Sequence, residues 1–265
     1  MKNERNMKKK KIALVLGGGG ALGCAHIGVI KALEKHNIPI DIIVGTSMGG
    51  VVGAAYVSGL SVKEMTDFAT KFRTINFVDM NFDASGLFSG KGVMSIINKF
   101  LPDINIESLN KEFACVASDL LEAKEYVFKS GSIREAVRAT LSLPGIFVPV
   151  KKDNKVLVDG GLLNNLPEDV AMEMGADIII SSDVLANFKL SKAPKNAIES
   201  LVWGINIATK EVQKLKSYHA DIVIRPDTTG IGQLNFTKKK TELAIKRGEE
   251  ETERRIKEIQ KIIKG

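Results

Sequence analysis

Lys11-Ile12-Ala13-Leu14-Val15-Leu16-Gly17-Gly18-Gly19-Gly20 opens the readable part of the chain, and Asp41-Ile42-Ile43-Val44-Gly45-Thr46-Ser47-Met48-Gly49 repeats its plan. Each is a short apolar, β-rich run that breaks into a glycine turn and then into a helical pattern. After the first turn, Leu22, Ala25, Val29, Ile30 and Leu33 fall at helical spacing as far as His36, where Asn37-Ile38-Pro39 closes the segment. After the second, the small apolar run Met48–Gly59 reads as a helix packed tightly against its neighbours. Strand, helix, strand, helix in so short a span requires parallel strands joined by right-handed crossovers, so the spacing predicts an α/β fold.

Outward from this core the pattern continues less regularly. Lys71 to Leu101 is rich in turn signals, with Gly86, Gly90 and Gly92, and reads as a loop forming a lid or a pocket wall. Phe113–Ala117 and Glu125–Lys129 read as neighbouring strands, and Ser132 with Glu135 as a capping box for a helix over Ile133–Thr140. Val156–Val158 is a short strand running into Asp159-Gly160-Gly161. Asn165 with Glu168 reads as a second N-cap, before a strand over Asp177–Ser181. A long helix is expected over Lys195–Tyr218 and a strand over Asp221–Ile224. Ile245, Thr252, Ile256, Ile259 and Ile263 then form one stripe of a C-terminal helix, either lying on the body or forming a dimer seam.

Composition narrows the function classes. A chain of 265 residues with 44% hydrophobic content can bury a full core, and its apolar runs stop well short of a membrane span. The basic N-terminus precedes too short an apolar stretch for a secretory signal. The net charge of +7 is concentrated there: the first eleven residues carry +5, leaving about +2 for the rest, which argues against nucleic acid as a partner. Residues 1–10 are therefore expected to be a basic, disordered tail, and 11–265 one domain including the C-terminal helix. Cys24 and Cys115 have no framework spacing and imply a reducing, cytoplasmic setting. No metal-ligand motif occurs.

The chemistry gathers at three glycine turns. Ser47 sits in Gly45-x-Ser47-x-Gly49 between a strand and a helix, the context of a nucleophile elbow, where glycines are needed because side chains would collide with the adjoining elements. A serine needs a base. Of the three histidines, His26 and His36 fall on the first helix, and His219 precedes a strand, whereas Ser47 follows one. Asp159 follows the end of its strand and so can share the mouth of the sheet with Ser47; taken alone, it reads better as an Asx-turn or capping residue. Gly160 and Gly161 leave its carboxylate unobstructed. The glycine run also contains G-x-G-x-x-G at Gly18, Gly20 and Gly23, but Asp41 begins the second strand instead of ending it, as a dinucleotide site would require. An oxyanion hole built from Gly18, Gly19 and Gly20 fits better.

The chain resembles the patatin-like phospholipase family. The matching pieces are Leu14 to Gly23, Val44-Gly45-Thr46-Ser47-Met48-Gly49-Gly50, the block Leu143-Pro144-Gly145-Ile146-Phe147, and Val158-Asp159-Gly160-Gly161 through Pro167, with Gly230 to Phe236 in the tail. The resemblance covers roughly residues 11 to 250. It implies a three-layer α/β/α fold with a mainly parallel central sheet, a Ser47–Asp159 dyad, a glycine-loop oxyanion hole and hydrolysis of lipid acyl esters through an acyl-enzyme, without cofactor. Lipid or acyl-ester substrate and transient contact with a membrane surface follow, with apolar residues around Phe72–Phe100 as candidates for that contact. Family members usually carry Arg or Lys where this chain has Leu22. That departure leaves a catalytically weak regulatory or interaction protein as the alternative. A Ser–Asp pair is expected to give a pH–rate profile without a limb near neutrality, and a base at His219 a limb near pH 6.5.

Overall fold

Every residue of Ile12–Leu16 (β1) is buried, as an apolar run without polar alternation demands of a strand covered on both faces. The computed structural model describes residues 10–72, 86–187, 193–216 and 219–264. In it β1 lies inside an eight-stranded mixed sheet with β2 (Ile42–Thr46), β3 (Glu112–Asp119), β4 (Lys124–Phe128), β5 (Val150–Lys152), β6 (Lys155–Asp159), β7 (Ile178–Ser182) and β8 (Ile222–Ile224). Hydrogen-bonded neighbours run β5-β6-β3-β2-β1-β7-β8, with β4 on β3. The pairs among β8, β7, β1, β2 and β3 are parallel, whereas β4, β5 and β6 join antiparallel.

Side-chain alternation along β1 sorts the helices into layers. Leu14 and Leu16 join a large apolar cluster with α1 (Ala25–Lys35), α2 (Met48–Val57), α5 (Ile133–Thr140) and α8 (Lys238–Lys264), flanked by α3 (Val62–Lys71) and α4 (Lys91–Phe100). Ala13 and Val15 face the opposite way, onto Val170 and Ala171 of α6 (Glu168–Glu173). Helices thus cover both faces of a mostly parallel sheet. α7 (Ala197–Leu215) packs over the short 3-10 turn Gly160–Leu162.

Several local expectations change. The first helix divides into a 3-10 turn, Gly20–Cys24, followed by α1. Lys71–Leu101 is not simply a loop: α4 occupies its second half and buries Val93 and Ile97, although residues 73–85 lie outside the described residues. Ser132 caps α5 through the Glu135 N–H, but the Glu135 carboxylate pairs with Lys152 instead of closing the box. Asn165 is not a cap; Pro167 stands before α6 without a side-chain bond. Residues 1–9 of the basic stretch also lie outside the described residues.

The C-terminal isoleucine stripe lies on the body. Ile245, Ile256 and Ile259 are buried in the main cluster, and α8 runs along α1. The two helices approach to backbone contact: a Cβ on Gly28 would stand 1.9 Å from the Ile245 carbonyl oxygen, and one on Gly248 2.0 Å from that of Ala25. Gly28→Ala and Gly248→Ala should therefore each destabilise the protein by about 1–3 kcal/mol through forced separation of α1 and α8. Gly204→Ala, in open space on α7, should gain up to about 1 kcal/mol from helix propensity alone. Urea-denaturation midpoints of the three variants check this contrast.

Candidate active site

β3 sets the geometry of the site. Its residues Cys115–Asp119 pair with β4, so β2, which also reaches Cys115 and Val116, must lie on the other edge; β6 pairs with Ala117–Asp119 and must share that edge with β2. The two strands meet end to end. Thr46, the last residue of β2, is opposite Val116, and Asp159, the last of β6, is opposite Ala117. Ser47 and Asp159 are therefore brought face to face from positions 112 residues apart, and Ser47 Oγ donates to Asp159 Oδ2 at 2.6 Å.

Ser47 has φ 53 and ψ −125, a backbone conformation that non-glycine residues rarely adopt and that costs about 1–3 kcal/mol. The turn is this tight because α2 folds back onto β1: a Cβ on Gly49 would lie 2.0 Å from the Leu16 carbonyl oxygen. Gly45 pairs with Leu16 on one side and Cys115 on the other. The strained turn is held from outside. Ser47 N–H donates to Thr140 Oγ1 at 2.7 Å, and that hydroxyl donates to the Val116 carbonyl at 2.5 Å. Thr46 Oγ1 donates to the Asn164 carbonyl at 2.8 Å, tying the elbow to the turn after β6.

Asp159 is 6% exposed. Its Oδ1 accepts the Gly161 N–H at 2.8 Å. Gly160 crosses β3 so closely that a Cβ would stand 2.3 Å from the Val116 carbonyl oxygen. Burial pushes the Asp159 carboxyl up to about 6, against the opposing pull of the bonds from Ser47 and the Gly161 N–H. The group remains ionised at neutral pH but holds a proton far better than an ordinary aspartate.

The glycine loop narrows to two free donors. Gly18 N–H donates to the Asn165 carbonyl at 3.2 Å, so it is not available to an oxyanion. Among the described residues no acceptor takes the N–H groups of Gly19 and Gly20, and both residues line a cavity of about 250 Å³ with Ser47 and Asp159. Apolar side chains, including Phe88, Phe147, Ile146, Val202 and Ile205, form much of the remaining wall. A second, smaller cavity of about 80 Å³ lies between α2, α3 and α4 and shares Met48, Leu141 and Phe236 with the first. Leu22 is wholly buried, and its backbone N–H braces the Gly19 carbonyl at 3.2 Å.

The histidines stand elsewhere. His36 Nε2 is 2.8 Å from Glu253 Oε2 on α8. His219 donates its N–H to Glu168 Oε2 at 2.8 Å just before β8, whose parallel course puts it at the opposite end of the sheet from Ser47. His26 is sealed in the interior against the glycine loop. Among the described residues no group of three His, Cys, Asp or Glu could hold a metal, and no helix is long and apolar enough to cross a membrane. Thr140 and the clamping role of Asn165 escaped the sequence reading. Their partners lie 93 and 147 residues away, and no local pattern marks them.

Residues 14–172 match the model of the patatin-like phospholipase family, and the chain belongs to that family. It is 39% identical over 183 residues to patatin-like phospholipase domain-containing protein 7 of Rattus norvegicus, an alignment covering 65% of this chain and 13% of that one. It is 37% identical over 186 residues to lysophospholipase nte1 of Aspergillus fumigatus, covering 68% and 12%. The chain thus spans about an eighth of these relatives' length. Among solved structures, VipD from Legionella pneumophila superposes with a TM-score of 0.55 at 17% identity, over 93% of this chain and 66% of that one. That likeness concerns the fold.

The buried carboxyl has a stability consequence. With a folded-state pKa near 6 against 3.8 unexposed to such burial, the folded protein binds the Asp159 proton more tightly. The associated stability is full below about pH 4 and is lost as pH rises through 6. Asp159→Asn should therefore be more stable than the parent by about 2–3 kcal/mol at pH 8, with the difference largely gone at pH 4. Urea midpoints at the two pH values measure it.

Proposed function

We propose that the protein is a lipid acyl hydrolase in which Ser47 is the nucleophile and Asp159 its base. The observation that carries this reading is the 2.6 Å hydrogen bond from Ser47 Oγ to the buried Asp159 carboxylate, at the wall of an apolar cavity that also presents Gly19 and Gly20. Asp159 takes the Ser47 proton as Oγ attacks the ester carbonyl. The tetrahedral oxyanion is met by the Gly19 and Gly20 N–H groups and by the positive end of α2. As the intermediate collapses, Asp159 returns the proton to the departing alkoxide and an acyl-enzyme remains. Water, deprotonated by Asp159, then releases the fatty acid and Ser47 regains its proton. One carboxylate alternates as base and acid in each half-reaction, a task suited to a group poised near 6.

Lysophospholipase and phospholipase relatives support a lipid ester as substrate. The apolar cavities suit its acyl chain, entering beside Ser47 and extending past Met48, Leu141 and Phe236 into the smaller space. Contact with a lipid surface is best served by the exposed Leu87, Leu201 and Leu234, of which Leu87 falls within Phe72–Phe100; residues 73–85 of that region lie outside the described residues. The alternative of a catalytically weak interaction protein rested on Leu22. It loses force because the loop is braced there by a backbone N–H, which any side chain would leave in place.

Hydrolysis of p-nitrophenyl butyrate and palmitate by the parent, Ser47→Ala, Asp159→Asn and His219→Ala tests the reading. The first two variants should lose at least about 10³-fold in kcat, the scale on which hydrolase catalytic residues act, and the third should stay within twofold. Folded His219→Ala without activity, or active Ser47→Ala, overturns it. The expectation of a profile without a limb near neutrality is corrected by burial: kcat/KM should rise with pH through an acid limb near 6 as Asp159 ionises, so His219 is judged by its variant.

Chain length gives a separate handle. Ala55 lines only the smaller cavity. Ala55→Phe should cut kcat/KM for palmitate by about tenfold or more, since each displaced methylene is worth roughly 0.8 kcal/mol, while butyrate hydrolysis is unchanged. Equal losses on both esters would show that the smaller cavity takes no part.

A further inference from the structure

The glycine run poses a mechanical problem. Consecutive glycines have wide conformational freedom and no side chains to pack, yet an oxyanion hole works only if its donors are aimed before the reaction begins. The aim must come from outside the run, and the structure offers a candidate that the reaction does not otherwise use.

His26 is wholly buried at the start of α1. Its Nε2 is 2.7 Å from the Gly17 carbonyl oxygen and its Nδ1 is 2.9 Å from Ser182 Oγ, at the end of β7. A carbonyl only accepts, so Nε2 carries the hydrogen and donates; Nδ1 of the neutral ring then accepts the Ser182 hydroxyl. Burial pushes the ring's pKa down to about 4, which keeps it in this neutral form. Ser182 also offers its backbone carbonyl to Gly17 N–H at 3.1 Å. Gly17 is thus held at its N–H by β7 and at its carbonyl by His26.

In a planar trans peptide the C=O and the following N–H point in opposite directions, so pinning one fixes the other. The Gly17 carbonyl is pinned by His26, which turns Gly18 N–H toward the Asn165 carbonyl. The Gly18 carbonyl accepts Asn165 Nδ2 at 3.4 Å, and the Gly19 carbonyl accepts Leu22 N–H at 3.2 Å. The Gly18 and Gly19 carbonyls so held direct the Gly19 and Gly20 N–H groups the opposite way, and the Gly17 carbonyl on His26 anchors the run from which both follow. An apolar side chain could fill the space of the imidazole, but it would leave the buried Gly17 carbonyl unpaired, a state that folded proteins avoid.

We infer that His26 is a positioning residue for the oxyanion hole: its Nε2–H grips the Gly17 carbonyl and so locks the first peptide of the run, including the Gly18 N–H on Asn165, the anchor from which the Asn165 and Leu22 bonds to the next two carbonyls aim the Gly19 and Gly20 N–H groups, while the Ser182 hydroxyl fixes its tautomer. The inference rests on Ser47–Asp159 catalysis. His26 does not line the cavity that holds Ser47 and acts through its bonds to Gly17 and Ser182.

The test uses the full chain with His26→Leu, His26→Gln and Ser182→Ala. It measures kcat and KM on p-nitrophenyl butyrate, the rate at which a p-nitrophenyl alkylphosphonate phosphonylates Ser47, and the folded fraction by circular dichroism. Phosphonylation builds negative charge on an oxygen in the oxyanion position, so it reports the aim of the donors independently of deacylation. His26→Leu should lose about 10²-fold in both kcat and phosphonylation, the cost of a misplaced catalytic group, with KM within threefold and the fold retained. His26→Gln, which restores an N–H donor, should recover at least tenfold. Ser182→Ala should lose about three- to tenfold in kcat. A kcat loss that merely tracks the folded fraction, or Gln no better than Leu, overturns the inference. If His26→Leu does not fold, Ser182→Ala decides, and unchanged kcat there overturns it. A parent that neither hydrolyses the ester nor is phosphonylated at Ser47 overturns the dyad and this inference together, whereas an active parent with equally active variants overturns this inference alone.

Discussion

One edge of β3 is shared by two strands, and the site depends on that sharing. β2 pairs as far as Val116 and β6 takes over at Ala117. Neighbouring residues of a strand are about 3.3 Å apart, so the ends of β2 and β6 have no room between them for anything but their terminal side chains. A chain leaving β2 must turn away at once, which forces the strained conformation of Ser47. A chain leaving β6 must do the same, which places Gly160 against the Val116 carbonyl. The meeting of Ser47 with the Asp159 carboxylate and the tightness of both turns are consequences of the same collision.

Such a junction leaves backbone and side-chain polar groups without ladder partners, and these must be satisfied locally. Thr140 Oγ1 takes the Ser47 N–H, the Ser142 carbonyl takes the Asp159 N–H at 3.0 Å, and the Asn164 carbonyl takes the Thr46 hydroxyl. Among the described residues the carboxylate receives two short bonds, from Ser47 and the Gly161 N–H. They do not offset its desolvation, and its affinity for a proton rises accordingly. The burial that raises its proton affinity also makes Asp159 a liability to the fold above pH 6, the arrangement expected where reactivity and stability compete.

The alternation of apolar runs and glycine turns made the parallel core legible, because strands buried on both faces carry no polar residues to blur the pattern. Ser47 and Asp159 were legible for a related reason: glycines flank a residue when its neighbours have no space for a side chain, and that crowding is local in sequence. The bracing was not legible. Thr140, Asn165 and His26 each act through a contact made by the fold, and a threonine at a helix end or a histidine on an apolar face looks the same whether or not a distant turn needs it. α4 was hidden because Gly90 and Gly92 read as breakers, whereas Gly90 stands at the N-terminal boundary in a left-handed conformation with φ 80, where glycine is well suited. The antiparallel entry of β6 was hidden as well, since parallel and antiparallel short strands share the same composition.

The segment after Asp159 draws the parts into one unit. Asn164 holds the elbow through its carbonyl, and Asn165 holds Gly18 through both backbone and side chain. From outside, α7 donates Thr209 Oγ1 to the Gly161 carbonyl at 2.8 Å, and Gln213 Oε1 accepts Leu166 N–H at 3.3 Å. The same helix lines the cavity with Ile198, Val202 and Ile205 and exposes Leu201 and Ile207 to solvent. α7 is thus both a wall of the cavity beside Ser47 and the outer brace of the turn after β6. A rigid turn after β6 keeps the short bond between Ser47 and Asp159 in register, and the apolar wall leaves the carboxylate largely buried. Both needs fall on one helix because the end-to-end junction of β2 and β6 leaves the mouth of the sheet open on that side.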